Sequence, residues 1–146
     1  MIHAEVSIVI NRPLEEVFAF LSDLENNLKW RSGQIEAKKT SVGPIRVGTT
    51  YRMVNNVLGR RIEGEGEVTE YEPNRKFTSI GRSGYLPLEA QRVFEPVEGG
   101  TRVTFVLKAE PGGFFKLAEP LVATLAKRRV EMDAANLKDM MEAQAL

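Results

Sequence analysis

Three carboxylates stand at every second position in one segment of the chain, at Glu63, Glu65 and Glu67. Side chains two apart in an extended strand share a face, so these three would gather as they do in a metal or acid–base site. No histidine or aspartate stands close to them in the sequence, however. We therefore predict a solvated outer face, on which arginines or lysines of adjacent strands balance the charge.

Other reactive side chains are few. The chain has no cysteine and a single histidine, His3, on the polar side of an alternating terminal segment. These counts exclude a cysteine nucleophile, a disulfide framework, a zinc finger and an iron–sulfur cluster, and a Ser-His-Asp triad would have to use His3. We expect His3 to be structural or inert, and we predict neither a metal nor a cofactor.

The charge of the chain is balanced. Its 146 residues suit one domain, residues 1–146, and 20 basic side chains match 20 acidic ones. A nucleic-acid binder usually has a basic excess, and a polybasic membrane anchor needs one, so neither class is expected. The chain opens without a signal peptide, and no apolar run approaches the ~20 residues of a membrane span. We expect a cytoplasmic protein without stable membrane insertion and leave its oligomeric state open.

Strict alternation predicts a first strand over Ile2–Ile10. Two short helices follow it, the second opened by a capping box at Ser22–Glu25, and they end at Trp30. Alternation and turn residues then predict six strands, joined by short connections that favour antiparallel neighbours. These strands cover residues 34–40, 49–58, 61–71, 76–82, 86–97 and 101–110.

The period becomes helical from Phe114 onward and predicts a helix of roughly 30 residues, ~45 Å long. One apolar stripe consists of Phe114, Leu117, Ala118, Leu121, Leu125 and Met132. A second stripe, rotated from the first, consists of Val130, Ala134, Leu137 and Met141. Only this helix is long enough to cover an antiparallel sheet. We predict an α+β fold in which a curved sheet of about seven strands wraps around the long C-terminal helix.

Small residues recur at inward positions of three middle strands. Glycine and other small side chains on a concave sheet permit strong curvature, and they also leave space where a solid core would place large side chains. Two interpretations stay open, namely curvature alone and curvature with a cavity. The residues concerned are Gly64, Gly66, Ser79, Gly81 and Ala90.

Polar residues interrupt the apolar inward rows at Asn55, Ser79 and Arg92. A buried arginine or asparagine needs partners, and in a cavity it could orient a ligand carbonyl or carboxylate. The alternative is a bulge or a shifted register that turns these side chains to solvent.

Four more polar residues of the helix, Arg128, Arg129, Asp133 and Asn136, interrupt its first stripe. Arg129 and Asp133 are four apart, which predicts a surface salt bridge, and a role in binding a ligand anion is the alternative.

This layout resembles the START and birch-pollen-allergen superfamily (SRPBCC), and within it the polyketide cyclase/dehydrase-like, lipid-transport-like branch. The resemblance covers nearly the whole chain and implies the helix-grip fold as a single START-like domain. It does not single out an activity, because the matching motifs are mostly turns and core positions. They are Ile10–Asp23, Trp30, Val47–Tyr51, Val68–Pro73, Phe94–Pro96 and Gly99–Thr104.

The resemblance implies a largely apolar cavity between the sheet and the C-terminal helix, with a few polar groups. Trp30, which ends the second short helix, is interpreted as a lid at the mouth, with a plug at one end of the core as the alternative. The candidate ligand-binding residues are Trp30, Tyr51, Met53, Asn55, Ser79, Leu88, Ala90, Arg92, Phe105, Leu121 and Leu125.

Three hypotheses of function remain. The first is binding of a small hydrophobic or amphipathic molecule, such as a lipid or polyketide. The second is a polyketide cyclase or dehydratase, for which Tyr51 or a pocket carboxylate such as Glu89 would have to transfer protons. The third is a chaperone-like protein that binds an apolar segment of a partner in its groove. No catalytic residues are assigned.

Overall fold

Alternating apolar residues form seven strands in a computed structural model, which describes residues 2–57, 59–110 and 119–143. Every pair of neighbouring strands is antiparallel, and the order β1-β7-β6-β5-β4-β3-β2 leaves β1 and β2 at the edges. The predicted helix-grip fold is confirmed. The strands are β1 (Ile2–Ile10), β2 (Gln34–Lys39), β3 (Thr50–Val57), β4 (Arg60–Glu72), β5 (Lys76–Ser83), β6 (Leu86–Val97) and β7 (Gly100–Ala109).

Two short helices follow β1: α1 (Leu14–Leu21) and a 3₁₀ helix (Leu24–Lys29). The predicted capping box at Ser22–Glu25 is wrong, because Asp23 caps the 3₁₀ helix by accepting a hydrogen bond from the Glu25 amide at 3.1 Å. Ser22 instead ends α1, where its amide donates to the Phe18 carbonyl. An N-cap must stand directly before the first helical residue, and that residue is Leu24.

The C-terminal helix is described as α2 (Glu119–Ala143). Its second apolar stripe packs against the sheet, with Ala134, Leu137 and Met141 buried in the core. Leu121 and Leu125 are 64% and 55% exposed, and at 100° per residue they lie on the side of α2 opposite Leu137. Their predicted place in the cavity is wrong. Three members of the first stripe, Phe114, Leu117 and Ala118, lie outside the described residues.

The two short helices close one end of the concave face of the sheet, and we call this the closed end. Val17, Phe18 and Leu21 of α1 are buried there in one cluster with residues of the sheet. The ring of Phe18 meets that of Phe94 edge-on at a centroid distance of 5.0 Å. These contacts fix which half of the sheet becomes solid core.

Small residues bend the middle strands. A Cβ on Gly81 would lie 1.9 Å from the Glu65 carbonyl oxygen, so the backbones of β4 and β5 approach too closely for any side chain there. Gly66 differs, because a Cβ there would meet only the terminal methyl of Met53, at 3.3 Å. Gly81 therefore serves curvature, whereas the place of a side chain on Gly66 is taken by a flexible thioether.

We predict that Gly81→Ala destabilises the protein by about 2 to 3 kcal/mol, because the backbone of β4 must move to admit the methyl group. Gly66→Ala is the matched control and should cost less than about 1 kcal/mol, since Met53 can change rotamer. Urea unfolding of both variants measures the difference. Equal losses of unfolding free energy in the two variants would show that the close backbone approach at Gly81 does not exclude a side chain there.

Candidate functional site

Burial falls along the concave face of β5 and β6 from the closed end to the opposite end, whereas the inward residues Ile2 and Ala4 of edge strand β1 stay buried there. On β5, Phe77 is buried, Ser79 is half-buried and Gly81 is exposed. On β6, Arg92 is buried, whereas Ala90 and Leu88 are half-buried. The described face of α2 shows the same change, from buried Leu137 and Ala134 to half-buried residues nearer its N-terminus.

The half-buried residues of the middle strands and of α2 mark a candidate groove. Side-chain alternation and strand register place its residues on the same face as the core, beside the closed end. The sheet contributes five of the predicted ligand-binding residues and Leu107, while the sheet-facing side of α2 contributes the rest. The groove residues are Met53, Asn55, Ser79, Leu88, Ala90 and Leu107 of the sheet, with Val122, Ala126 and Val130 of α2.

Arg92 lies where the groove meets the closed end, and it is only 6% exposed. Its guanidinium donates from Nη1 to the Leu21 carbonyl at 2.7 Å and from Nη2 to Asn27 Oδ1 at 3.2 Å. Of the two interpretations of Arg92, the inward one is correct. Burial of the guanidinium, together with the charge of Arg31, lowers the pKa of Arg92 to about 9, so the side chain remains protonated at neutral pH.

Trp30 covers one face of this guanidinium. The charged group lies 5.2 Å from the centre of the Trp30 ring and 5.8 Å from that of Phe105, and the two ring centres are themselves 5.7 Å apart, so both rings flank the cation on the same side. Trp30 is 6% exposed and belongs to the core, which makes its predicted position as a lid at the mouth wrong. It is a plug at the closed end, because cation and ring bury each other.

Among the described residues, four buried polar atoms around this region lack a hydrogen-bond partner at normal distance and angle: Trp30 Nε1, Gln34 Oε1, Tyr51 Oη and Asp133 Oδ2. A buried polar atom without a hydrogen bond destabilises the folded protein unless another group supplies the missing bond. Gln34 is held by donating from Nε2 to Asn55 Oδ1 at 3.2 Å, which keeps both amides on the concave face. Unsatisfied donors and acceptors at the end of a groove are typical of a ligand site.

Tyr51 stands on β3 at the closed end, with only 1% of its surface exposed. Burial, reinforced by the negative charge of Asp23, raises the pKa of Tyr51 to about 12. The phenol therefore stays protonated at neutral pH, which makes it a hydrogen-bond donor and unsuited to act as a base.

Asp133 of α2 holds the loop that follows the 3₁₀ helix. Its Oδ1 accepts from the Ser32 amide at 3.0 Å and from Ser32 Oγ at 2.7 Å, and its Oδ2 lies 3.8 Å from Arg31 Nε. Arg129 donates to the Ser32 carbonyl at 2.7 Å. The predicted surface pair of Arg129 and Asp133 is wrong, because the sequence separation of four could not show that both would turn to this loop.

Sequence reasoning missed Gln34 as a residue of this region and placed Asp133 in a salt bridge with Arg129, with binding of a ligand anion as the alternative. A usable signal existed for Asp133, which directly precedes Ala134 in the second apolar stripe of α2. No comparable pattern marked Gln34, because it begins an edge strand and its burial depends on the packing of β2 against the 3₁₀ helix.

The outer face of the sheet carries the paired carboxylates. Glu63 lies 2.8 Å from Arg52 and Glu65 lies 2.9 Å from Arg82, on neighbouring strands, which confirms the predicted solvated charge pattern. Glu89 is also on the outer face, opposite Lys108 of β7, so its suggested place in the pocket is wrong. Alternation decides this, since Leu88 and Ala90 beside it face the groove.

Further features bear on the kind of site. Among the described residues, no three His, Asp or Glu side chains gather closely enough to hold a metal ion. An open depression of about 360 Å³, lined by Asn11–Pro13 and Gly99–Gly100, lies outside the groove on the turn between β6 and β7. Within the same ranges, no helix combines the length and apolar character of a membrane span.

We predict that Tyr51→Phe leaves the free energy of unfolding at pH 7 within about 0.5 kcal/mol of the parent, because the lost hydroxyl donates to no described acceptor and has only a weak contact with the Leu24 amide. As pH rises from about 10, the phenol of the unfolded chain ionises first, so the parent protein loses stability until about pH 12. The variant lacks this loss. Phenolate absorbance of parent minus variant should show a transition near pH 12, and one near pH 10 would contradict burial of Tyr51.

We also predict that Asp133→Ala destabilises the protein by about 2 to 3 kcal/mol, since it removes the acceptor of two hydrogen bonds to Ser32. Asp139→Ala, an exposed position on the same helix, is the control and should change stability by less than about 0.5 kcal/mol. Thermal or urea unfolding measures both. Similar values for the two variants would mean that Asp133 does not anchor the loop.

The fold is similar to that of several solved structures. A crystal structure from Thermus thermophilus superposes with a TM-score of 0.83 at 22% identity, with 99% of each chain covered. A START superfamily protein from Mycobacterium smegmatis gives 0.81 at 16% identity, again with 99% of each chain covered. The Zhui aromatase/cyclase from Streptomyces sp. R1128 gives 0.78 at 12% identity, covering 99% of this chain and 95% of that one.

At these identities the likeness concerns the fold. No curated protein matches the chain significantly. The family model described as polyketide cyclase / dehydrase and lipid transport matches residues 1–142, which is nearly the whole chain. The protein therefore belongs to the polyketide cyclase / dehydrase and lipid transport family.

Proposed function

We propose that this protein binds a small hydrophobic or amphipathic molecule in the groove between the sheet and α2. The observation that carries the proposal is the change of burial along single strands, from Phe77 through Ser79 to Gly81 on β5. A core built only for stability would cover the whole concave face with large side chains. Here, on β5 and β6, the same face continues beyond the core with half-buried residues such as Ser79, Ala90 and Leu88.

The composition of the groove suits such a ligand. Met53, Leu88 and Leu107 offer apolar area, and burial of a ligand against them would contribute ~25 cal/mol for each Å² removed from water. The small side chains of Ser79 and Ala90, paired across β5 and β6, leave room above the sheet. Asn55 supplies a polar contact that could orient the ligand.

Family membership supports this proposal, since the family description includes lipid transport and one structural neighbour is a START superfamily protein. A cyclase or dehydratase activity has weaker support from the geometry. Tyr51 stays protonated, Glu89 lies on the outer face and Asp133 already accepts two hydrogen bonds from Ser32. Binding is therefore the function that the described residues favour.

Native mass spectrometry of freshly purified protein should reveal a co-purified small molecule. A neutral fluorescent dye, Nile red, should then bind saturably with one molecule per chain. We predict that Ala90→Phe weakens dye binding by about ten-fold, or about 1.4 kcal/mol, because the new ring fills the groove.

Glu89→Phe provides the matched control, since it adds the same ring on the same strand but on the outer face. It should leave the affinity for Nile red unchanged. Equal affinities of the parent and Ala90→Phe for Nile red would place the dye elsewhere. A crystal structure with a solid core and no internal void larger than a water molecule would overturn the proposal.

A further inference from the structure

The charge of Arg92 has no carboxylate to balance it. Its two hydrogen bonds go to neutral oxygens, of Leu21 and Asn27, and no described carboxylate forms an ion pair with it. The residues outside the described ranges include no aspartate or glutamate. A buried cation ordinarily has a partner of opposite charge, because removing it from water is expensive.

A second cation adds to the positive charge at the closed end. The charge of Arg31 acts on Arg92 and opposes its protonation. Asp133 cannot offset both, because its Oδ2 is engaged by Arg31 at 3.8 Å and its Oδ1 by Ser32. The carboxylates of Asp23 and Glu25 act on Tyr51 but form no ion pair with Arg92, so the guanidinium lacks a carboxylate partner among the described residues.

Two neutral donors accompany this charge without partners of their own. Trp30 Nε1 is buried and makes no hydrogen bond, and the buried Tyr51 hydroxyl, which lies near the Leu24 amide, donates to no described acceptor. Both side chains are near Arg92, since the Trp30 ring covers the guanidinium at 5.2 Å and the positive charge of Arg92 acts on the Tyr51 phenol. A cation with two free N–H and O–H donors is complementary to an anionic oxygen.

The groove leads to this point. Arg92 and Phe77 are paired across β6 and β5, and the next inward pair along the strands is Ala90 with Ser79. These two small side chains are half-buried, so they separate the groove from Arg92 with little bulk. A ligand lying on them would have one end directed at the guanidinium.

From this arrangement we propose that the ligand is an amphipathic carboxylate, whose acid group binds beside Arg92, Trp30 and Tyr51 while its apolar body lies in the groove. This inference rests on the proposed function and adds the chemical class and the orientation of the ligand. Its physical basis is that the bound carboxylate supplies the missing counter-charge and satisfies buried donors at the same time.

Trp30 is the single tryptophan of the chain, so its fluorescence reports binding at this place. Dodecanoate and its methyl ester, below their aggregation limits at pH 7, compare a charged and an uncharged end on one apolar chain. We expect dodecanoate to bind at least about ten-fold more tightly than the ester and to change the Trp30 emission.

The preference for the acid should disappear in Arg92→Met. The matched control is Arg102→Met, which removes an arginine from the outer face of neighbouring β7, where it pairs with Glu95. That variant should keep the preference. If Arg92→Met does not fold, Tyr51→Phe remains informative, because its hydroxyl supports no described hydrogen bond, and it should weaken dodecanoate about three-fold or more without changing the ester.

The outcomes separate the two proposals. Equal binding of dodecanoate and ester by the parent protein overturns the carboxylate inference and leaves apolar binding in the groove intact. Binding of neither compound, together with no binding of Nile red, counts against the proposed function as well. A preference for dodecanoate that persists in Arg92→Met and Tyr51→Phe places the acid group elsewhere and overturns the inference.

Discussion

The burial of one arginine organises the closed end of this protein. Arg92 comes from the concave face of the sheet and donates to the last carbonyl of α1 and to a side chain of the 3₁₀ helix. The rings of Trp30 and Phe105 pack together and flank its guanidinium on one side. One side chain thus joins the sheet to both short helices, and the strength of charge-assisted hydrogen bonds in a dry interior explains how so short a segment can close the sheet.

The groove follows from this closure and from the curvature of the sheet. α1 and the 3₁₀ helix cover only the half of the concave face that lies beside Arg92, and the C-terminal half of α2 completes that core. The close approach of β4 and β5 at Gly81 bends the sheet around the helix. Beyond the closed end, inward residues of the middle strands β5 and β6 stay half-exposed, whereas those of edge strand β1 are buried.

The same division explains why electrostatics matter in a chain with no net charge. The equal numbers of acidic and basic side chains conceal an uneven distribution. Arginines and glutamates pair on the outer face of the sheet, as Arg52 and Glu63 do. Inside the protein, Arg92 has no such partner. The low local dielectric constant makes the electrostatic interactions of Arg92 stronger than those of the surface ion pairs.

Much of the fold could be predicted because alternation is a local property of a strand. The seven strands, their antiparallel order of neighbours and the long C-terminal helix all follow from periodicity and turn residues. The face of the helix that packs against the sheet was harder to predict, because the helix has two apolar stripes. The longer stripe, which includes Leu121 and Leu125, is exposed. Which stripe packs depends on the rotation of α2 against the sheet, and that rotation is set by contacts with distant residues such as Asp133 and Ser32.

The sequence by itself determined the family, the strand pattern and the positions at which polar residues break apolar rows, among them Arg92 and Asn55. The sequence could not show whether the Arg92 side chain turns inward, because that orientation depends on whether buried hydrogen-bond acceptors lie within its reach. Those acceptors belong to Leu21 and Asn27, 71 and 65 residues away in the chain. Only the tertiary structure brings them together. A buried charge is stabilised by groups that are close in the folded protein but distant in the chain, and such groups leave no periodic pattern in the sequence.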